Sequence, residues 1–425
     1  MASLLDYEYD TTMKSWNQLL VPTLESNSVV APLSLTNSAT GKVEPVLQKS
    51  LYRMYVCGIT PYDATHIGHA ATYLTFDLIN RYLRASGSEV RYVQNITDID
   101  DPLLERAKRD GLDWTELAHK QIDLFRGDMQ ALRVIPPQSY IGAVEAIPLV
   151  VDSIELLKDK NSVYLVDSDL YFKVSSDPYF GERSHLSQEK MLEIFAERGG
   201  DPQRLGKVNP LDCLVWMSQR PDEPGWDSIL GVGRPGWHIE CTAIAIKYLE
   251  PDSSNTPLID IQGGGSDLIF PHHEMCAAQA QVMTGRALAA SYVHGGMIGL
   301  DGEKMSKSKG NLVFVSQLVA QGKDPMAIRW ALMKNHYRLD RMWTDQLLSE
   351  SEIEISQLRQ VLNQEFVAPF DQLLDSIVGS LANDLDTPTV LSDINRWVKD
   401  SQTSSAHINT EPLVQILDSL LGIRL

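Results

Sequence analysis

Four groups of residues in this chain have the types and spacing to do chemistry. In His66-Ile67-Gly68-His69, two histidines three apart stand where a loop enters a helix, so both project to one side of the first turn. Gly68 lets a ligand approach the backbone, and the helix N-terminus adds partial positive charge, a combination suited to a polyphosphate. Lys304-Met305-Ser306-Lys307-Ser308, with Lys309 behind it and Gly302 and Gly310 on either side, forms a cationic arm able to close over a leaving pyrophosphate. Gly263-Gly264-Gly265, then Ser266 and Asp267, lies at a strand end, where adenine or ribose can come close to the backbone and a carboxylate can accept from hydroxyls. Cys57, Cys241 and His272 would converge on that crevice from separate segments. Their separations are not those of a metal finger, so spacing alone says little for a metal. Each group also has a plainer reading, as loop histidines, a solvated lysine run, a turn and core thiols.

The elements that must hold these residues can be read from periodicity. Leu51 to Val56 reads as a buried strand, a helix follows from about Gly68 to Ala85 with Gly87 just past its end, and Glu89 to Asn95 reads as a second strand. Strand, glycine-containing loop, helix and strand make a βαβ unit and predict an α/β fold with a parallel sheet. Helical patterns run from Pro102 to about Lys160, and Val163 to Val174 reads as a hairpin. The stretch onward to Gly236 is rich in glycine, proline and charge, as an inserted subdomain would be. A second half follows: helix Trp237 to Leu249, strand Leu258 to Gln262, a triple-glycine turn and helix Pro271 to Thr284. Beyond Asp324 the chain reads as four or five amphipathic helices. The expected division is an N-terminal extension (1–50) packed on the body or partly mobile, a catalytic domain (51–140 and 236–323), an insertion (141–235) and a C-terminal helical domain (324–425).

Composition bounds the function. The 425 residues carry 37 Lys+Arg against 56 Asp+Glu, a net charge of −19, which argues weakly against gripping phosphate backbones. Hydrophobic residues at 43% and charged ones at 22% exclude wholesale disorder. No apolar run reaches the roughly 18 residues needed to cross a bilayer, and no secretory signal is visible. The four cysteines are too dispersed for a disulfide scaffold, so the expectation is a cytoplasmic protein whose cysteines are core residues or metal ligands.

HIGH near the first strand and KMSKS further on are together the signature of class I aminoacyl-tRNA synthetases. Tyr55-Val56-Cys57-Gly58-Ile59-Thr60, Asn95-Ile96-Thr97-Asp98-Ile99-Asp100-Asp101, the run Gly236 to Cys241 (GWHIEC) and the run Gly263 to Glu274 (GGGSDLIFPHHE) resemble cysteinyl-tRNA synthetases, over about residues 51–338. The resemblance implies a Rossmann-like class I core with an inserted subdomain and a C-terminal helical bundle. It also implies one zinc ion on Cys57, Cys241 and His272 that selects cysteine through its thiolate, and the physics agrees. Zn²⁺ prefers sulfur and nitrogen and can reject a serine hydroxyl without editing. By the same resemblance His66, His69, Lys304 and Lys307 are the catalytic residues, with ATP as substrate and Mg²⁺ beside it. Cys57, Gly58, Ile59, Thr60 and Trp237 would hold cysteine. Thr72, Asn95, Ile96, Thr97, Gly265, Ser266, Asp267 and Ile298 would surround the adenylate, while His273 and Glu274 would orient His272. Cys213 and His336 read as packing residues.

Two departures from the synthetases stand out. Where they carry a glutamate ligand four residues after the histidine, this chain has Cys276, which could reach the metal or pack as a small hydrophobe. Only helical sequence follows Ser308, so the domain that grips an anticodon stem is expected to be missing. Thr60-Pro61-Tyr62-Asp63-Ala64-Thr65 and Glu197-Arg198-Gly199-Gly200-Asp201-Pro202 resemble instead the cysteine ligases of mycothiol biosynthesis. That resemblance implies ATP-dependent joining of L-cysteine to the amine of glucosaminyl-inositol through cysteinyl-AMP, by a monomer without nucleic-acid or membrane partners. A truncated cysteinyl-tRNA synthetase is the alternative.

Overall fold

A computed structural model describes residues 13–24, 31–62, 65–251, 257–300, 302–305 and 311–425. Within the first 50 residues lies a hairpin that periodicity does not reveal, β1 (Ser34–Asn37) and β2 (Lys42–Pro45), which turns through Gly41 at a φ of +68°. This stretch packs on the body. Trp16, Leu33 and Leu35 are buried, and the Trp16 indole donates to the Val134 carbonyl at 2.7 Å.

β3 (Leu51–Val56), α1 (Ile67–Ala85) and β4 (Glu89–Ile96) form the expected βαβ unit. After α2 (Asp101–Asp110) and α3 (Trp114–Ala131) comes β5 (Ser139–Gly142), a four-residue strand that the surrounding helical periodicity hides. It pairs parallel with β4. α4 (Ile147–Asp159) precedes the expected hairpin, β6 (Val163–Val166) and β7 (Asp169–Phe172), which turns through Asp167 at a φ of +55°. With α5 (Gln188–Glu197), β8 (Cys213–Ser218) and β9 (Gly233–Pro235), the hairpin builds a four-stranded antiparallel sheet in the order β6-β7-β8-β9.

α6 (Trp237–Leu249), β10 (Ile259–Gly265), α7 (Glu274–Thr284) and β11 (Ala289–Gly295) complete the central sheet, whose order β11-β10-β3-β4-β5 is parallel throughout. The winding direction changes between β3 and β10, so the switch-point crevice opens beyond their carboxyl ends. The triple glycine is not a turn: it is the last three residues of β10, all paired with β11, with Gly263 also paired with β3. Side chains are excluded there because neighbours press on the strand. A Cβ at Gly263 would lie 2.2 Å from the Phe76 ring of α1, and one at Gly264 3.2 Å from the His273 ring. α7 begins at Glu274 rather than Pro271, since Phe270 takes an extended conformation (φ −140°, ψ 139°) that breaks helical geometry.

β12 (Ile298–Leu300) and β13 (Glu303–Lys304) form a small sheet with β14 (Arg341–Trp343), reached through α8 (Val315–Ala320) and α9 (Pro325–Met333). α10 (Asp345–Leu362), α11 (Asp371–Ala382), α12 (Thr387–Ser401) and α13 (Glu411–Leu421) follow. α1 is buried nearly all round, and its carboxylate Asp77 anchors an ionic knot. Asp77 accepts from Arg81 Nε at 2.7 Å, from the Ile135 amide at 2.8 Å and from the Arg329 guanidinium, all three side chains being fully buried. The two arginines donate onward to carbonyls of Leu132, Arg133, Asp418 and Leu421, which ties α1 to α9 and α13.

Asp128 of α3 lacks such compensation. It is buried, its Oδ2 makes no hydrogen bond, and burial pushes its pKa up to about 7. The folded protein therefore prefers the protonated acid, and stability is lost as pH rises from the unfolded carboxylate range through 7. Asp128→Asn is expected to gain roughly 1–3 kcal/mol at pH 8, with the gain vanishing toward pH 4. Thermal unfolding of both proteins at the two pH values checks this.

Candidate active site

At the end of β3, the Cys57 amide donates to the Gly263 carbonyl at 3.0 Å, which stitches the first loop to the glycine strand. The next residue presses against β4. The Gly58 amide donates to Asn95 Oδ1 at 2.8 Å, and a Cβ on Gly58 would stand 1.7 Å from the Asn95 carbonyl oxygen, so only glycine fits. Asn95 Oδ1 also accepts from the Tyr55 hydroxyl at 3.0 Å, its Nδ2 donates to Thr97 Oγ1 at 3.2 Å, and the Thr97 amide donates to the Ile59 carbonyl at 3.1 Å. Asn95, Ile96, Thr97 and Ile298 are buried. Gly58, Thr60, Thr72, Trp237, Gly265, Ser266 and Asp267 are half-buried. Asp267 folds back over Gly265, where a Cβ would meet Asp267 Oδ1 at 2.5 Å and Thr72 Oγ1 at 3.8 Å.

The two histidines of the first motif stand together as their spacing predicts. His66 caps α1 by accepting from the Gly68 amide at 3.1 Å, and the two rings stack with centroids 3.8 Å apart. Lys307 lies outside the described residues. Lys304 is on β13, and its side chain also lies outside them, as do Asp63 and Ala64.

Cys57, Cys241 and His272 converge. Their sulfur and nitrogen donors all lie within 4.8 Å of one another, and all three residues are buried. His272 Nε2 makes no hydrogen bond, although it is sealed from solvent. An orphaned imidazole nitrogen beside two thiols is the donor set of a tetrahedral zinc site with one position open, so the residues fit that ion. Burial opposes ionisation of Cys241, but hydrogen bonding with Cys57 and the charge of His272 outweigh it and hold this thiol well below its ordinary range. His272 is held well above its own range, because the nearby Cys276 and Cys241 sulfurs override burial.

The supporting histidines differ from expectation. His272 is oriented by His238, Nδ1 to Nδ1 at 2.9 Å, with the Trp237 ring 4.4 Å away between centroids. His273 turns instead to Cys57, with its Nε2 3.2 Å from Sγ, and its Nδ1 meets His294 Nε2 at 2.7 Å; His294 Nδ1 reaches Ser38 Oγ at 2.8 Å in the N-terminal hairpin. Burial holds His273 and His294 well below the usual imidazole range, so both are neutral. Burial, with Cys241 beside it, pushes the Cys57 thiol well above its ordinary range; were a bound metal to ionise Cys57, donation would have one direction, from the Ser38 hydroxyl through both rings to sulfur. Gln262 adds a second donor to Cys57 Sγ at 3.6 Å. Glu274 does not orient His272 either. Its carboxylate accepts from the Gly181 amide at 2.9 Å, the Ser184 amide at 2.8 Å and Arg183 at 2.9 Å.

Cys276 stands outside the three-donor group, and its thiol donates to the His238 carbonyl at 3.3 Å. Cys213 is a core thiol among the apolar residues of the antiparallel sheet, and all four cysteines are free. Sequence reading missed His238, His294, Ser38 and Gln262. Only the His238-x-x-Cys241 spacing on one helix face could have pointed to the first of them.

Residues 43–353 match the family described as tRNA synthetases class I (C) catalytic domain. A Thermomonospora curvata protein named L-cysteine:1D-myo-inositol 2-amino-2-deoxy-alpha-D-glucopyranoside ligase is 51% identical over 420 residues, spanning 97% of this chain and all of that protein. The chain belongs to this ligase family. A Kribbella flavida ligase of the same name is 55% identical over 375 residues, or 88% of this chain and 90% of the relative. Among solved structures, Mycobacterium tuberculosis methionyl-tRNA synthetase in complex with methionyl-adenylate superposes with a TM-score of 0.60. It covers 88% of this chain and 89% of its own at 16% identity, which shows the shared class I fold. The ligase family is thus built on a synthetase core, and the expected α/β class holds.

Proposed function

We propose that the protein joins L-cysteine to the amine of glucosaminyl-inositol at the expense of ATP, through cysteinyl-AMP, as a step of mycothiol biosynthesis. The observation that carries this reading is the convergence of Cys57, Cys241 and His272 at the sheet's switch point, beside the α1 N-terminus, in a chain half identical to the named ligases along nearly all its length. Zinc on these three residues would supply a Lewis acid that binds a substrate thiolate and discriminates against serine's hydroxyl. Trp237 walls that pocket, and the Cys57 to Thr60 loop closes its other side.

ATP would lie across the bare edge of β10, with its phosphates at the α1 N-terminus near His66 and His69. The cysteine carboxylate attacks the α-phosphorus in line and pyrophosphate leaves, while Lys304 and Lys307 spread the charge that develops; Mg²⁺ bound with ATP would add further charge compensation. The neutral sugar amine then attacks the activated carbonyl, the C–O bond to phosphate breaks and AMP departs, its phosphate or a general base taking the proton that the amine loses. Among the described residues no helix is long and apolar enough to cross a membrane. Four free thiols are in keeping with the reducing cytoplasm, where we place a monomeric enzyme.

Cysteine-dependent ATP–pyrophosphate exchange, followed by acceptor trials with glucosaminyl-inositol and with tRNA, tests the proposal. Exchange plus amide formation is expected. Absence of exchange defeats the adenylate, and tRNA charging without amide formation defeats the acceptor. Gly58→Ala, whose methyl would collide with the Asn95 carbonyl, is expected to slow exchange about 100-fold by displacing the cysteine loop.

A further inference from the structure

We infer that Arg198 is a positioning residue for the adenylation step: its guanidinium clamps the turn that carries Asp267 and leads to His272. Arg198 belongs to the hexapeptide Glu197 to Pro202, which the reaction sketched above leaves without a role. It is the C-terminal cap of α5, and Arg198 Nη1 donates to the backbone carbonyls of both Asp267 and Phe270.

Those two carbonyls bracket an irregular stretch. Residues 266–268 make a tight helical turn, and Phe270 then swings into extended geometry, so the ordinary helical ladder is interrupted between β10 and α7. A buried or half-buried carbonyl left without a donor costs free energy, and a charged donor answers that cost more strongly than a neutral one. The clamp fixes the turn at the carbonyl of Asp267, whose carboxylate folds over Gly265 beside Thr72. It fixes it again two residues before His272, a member of the three-donor group.

The rest of the hexapeptide serves the arginine. Gly199 has a φ of +84°, and a Cβ on Gly200 would lie 2.6 Å from the Phe195 ring, so the chain folds tightly back on the end of α5. The Gly200 amide donates to the Phe195 carbonyl at 2.8 Å. Asp201 then moors the loop to the antiparallel sheet, accepting from the Tyr171 hydroxyl and, at 2.9 Å, from Lys207 Nζ. α5 and its cap are therefore held rigidly by one sheet while the guanidinium holds the active-site turn of the other.

The assignment rests on the reading that the protein forms cysteinyl-AMP, and cysteine-dependent ATP–pyrophosphate exchange reads it. Arg198→Ala is expected to lower kcat for exchange about 100-fold with the KM for cysteine changing less than threefold, because the misplaced groups act in the transition state. Added guanidinium ion should restore part of the rate to Arg198→Ala, and Arg198→Lys, whose single cationic nitrogen sits on a shorter stem, should fall between the two. A wild-type rate in Arg198→Ala, an equal rise in KM, or a loss relieved by neither guanidinium nor lysine overturns the assignment. Failure of the adenylate reading itself shows separately, as absence of exchange in the unaltered protein.

Discussion

Replacing Cys241 by alanine will empty the metal pocket and cost on the order of 10³-fold or more in cysteine-dependent exchange. Among the described residues Cys241 supplies one of three donors within 4.8 Å of one another, so its loss leaves a two-ligand site that cannot hold an ion against water. Zinc content, expected at one per chain in the unaltered protein, should fall near zero. The other thiols provide the contrast. Cys276→Ala removes a hydrogen bond to the His238 carbonyl, and it should keep the metal and stay within about tenfold of the full rate. Cys213 sits in an apolar cluster that joins the antiparallel sheet to α6 and α7, and Cys213→Ala should leave zinc unchanged. Equal zinc in Cys241→Ala and the parent would defeat the assignment of ligands.

Asp77→Ala should be the most destabilising single change, at about 3–5 kcal/mol. It removes the carboxylate that, among the described residues, alone pairs with both Arg81 and Arg329, leaving two fully buried guanidinium groups with carbonyl partners. The damage will not stay in the core. α1 runs from the His66 cap to this knot and on to Ala85, so loosening its middle loosens the helix whose first turn presents His66 and His69. Asp77→Asn keeps the shape and one acceptor oxygen, and it should cost less. Thermal unfolding should rank the parent above Asp77→Asn and Asp77→Ala last.

Much of this architecture was legible in the sequence because its causes are local. The βαβ unit declared itself through the apolar run Leu51 to Val56, the α1 periodicity and the β-branched stretch after Gly87. The His66/His69 pair followed from their spacing on one turn, and resemblance brought Cys57, Cys241 and His272 to one crevice. What stayed hidden depends on contacts between distant segments. β5 is four residues long and borders strong helical patterns. The triple glycine looks like a turn until Phe76 and His273 are seen pressing on an extended strand. His273 seemed a natural support for its neighbour His272, yet in the irregular stretch ahead of α7 the two rings go to different partners. Arg198 stood out only as part of the ligase-like hexapeptide, and its partners stayed hidden, since a guanidinium at the end of one helix and two carbonyls of a distant turn have no signature in spacing.

The hairpin β1–β2 shows where kinship and mechanics part company. The match to the synthetase family begins at residue 43, inside β2, which leaves β1 and its turn outside the shared domain. Yet Ser38 touches His294 in the pocket, while the Thr36 amide and hydroxyl both donate to Asp384, which also accepts from the Tyr337 hydroxyl. One short loop thus braces the thiol pocket at one end and the C-terminal helices at the other. A catalytic body excised at the boundary that ancestry marks would lose its keystone, so the smallest transplantable unit of this enzyme must begin upstream of β1.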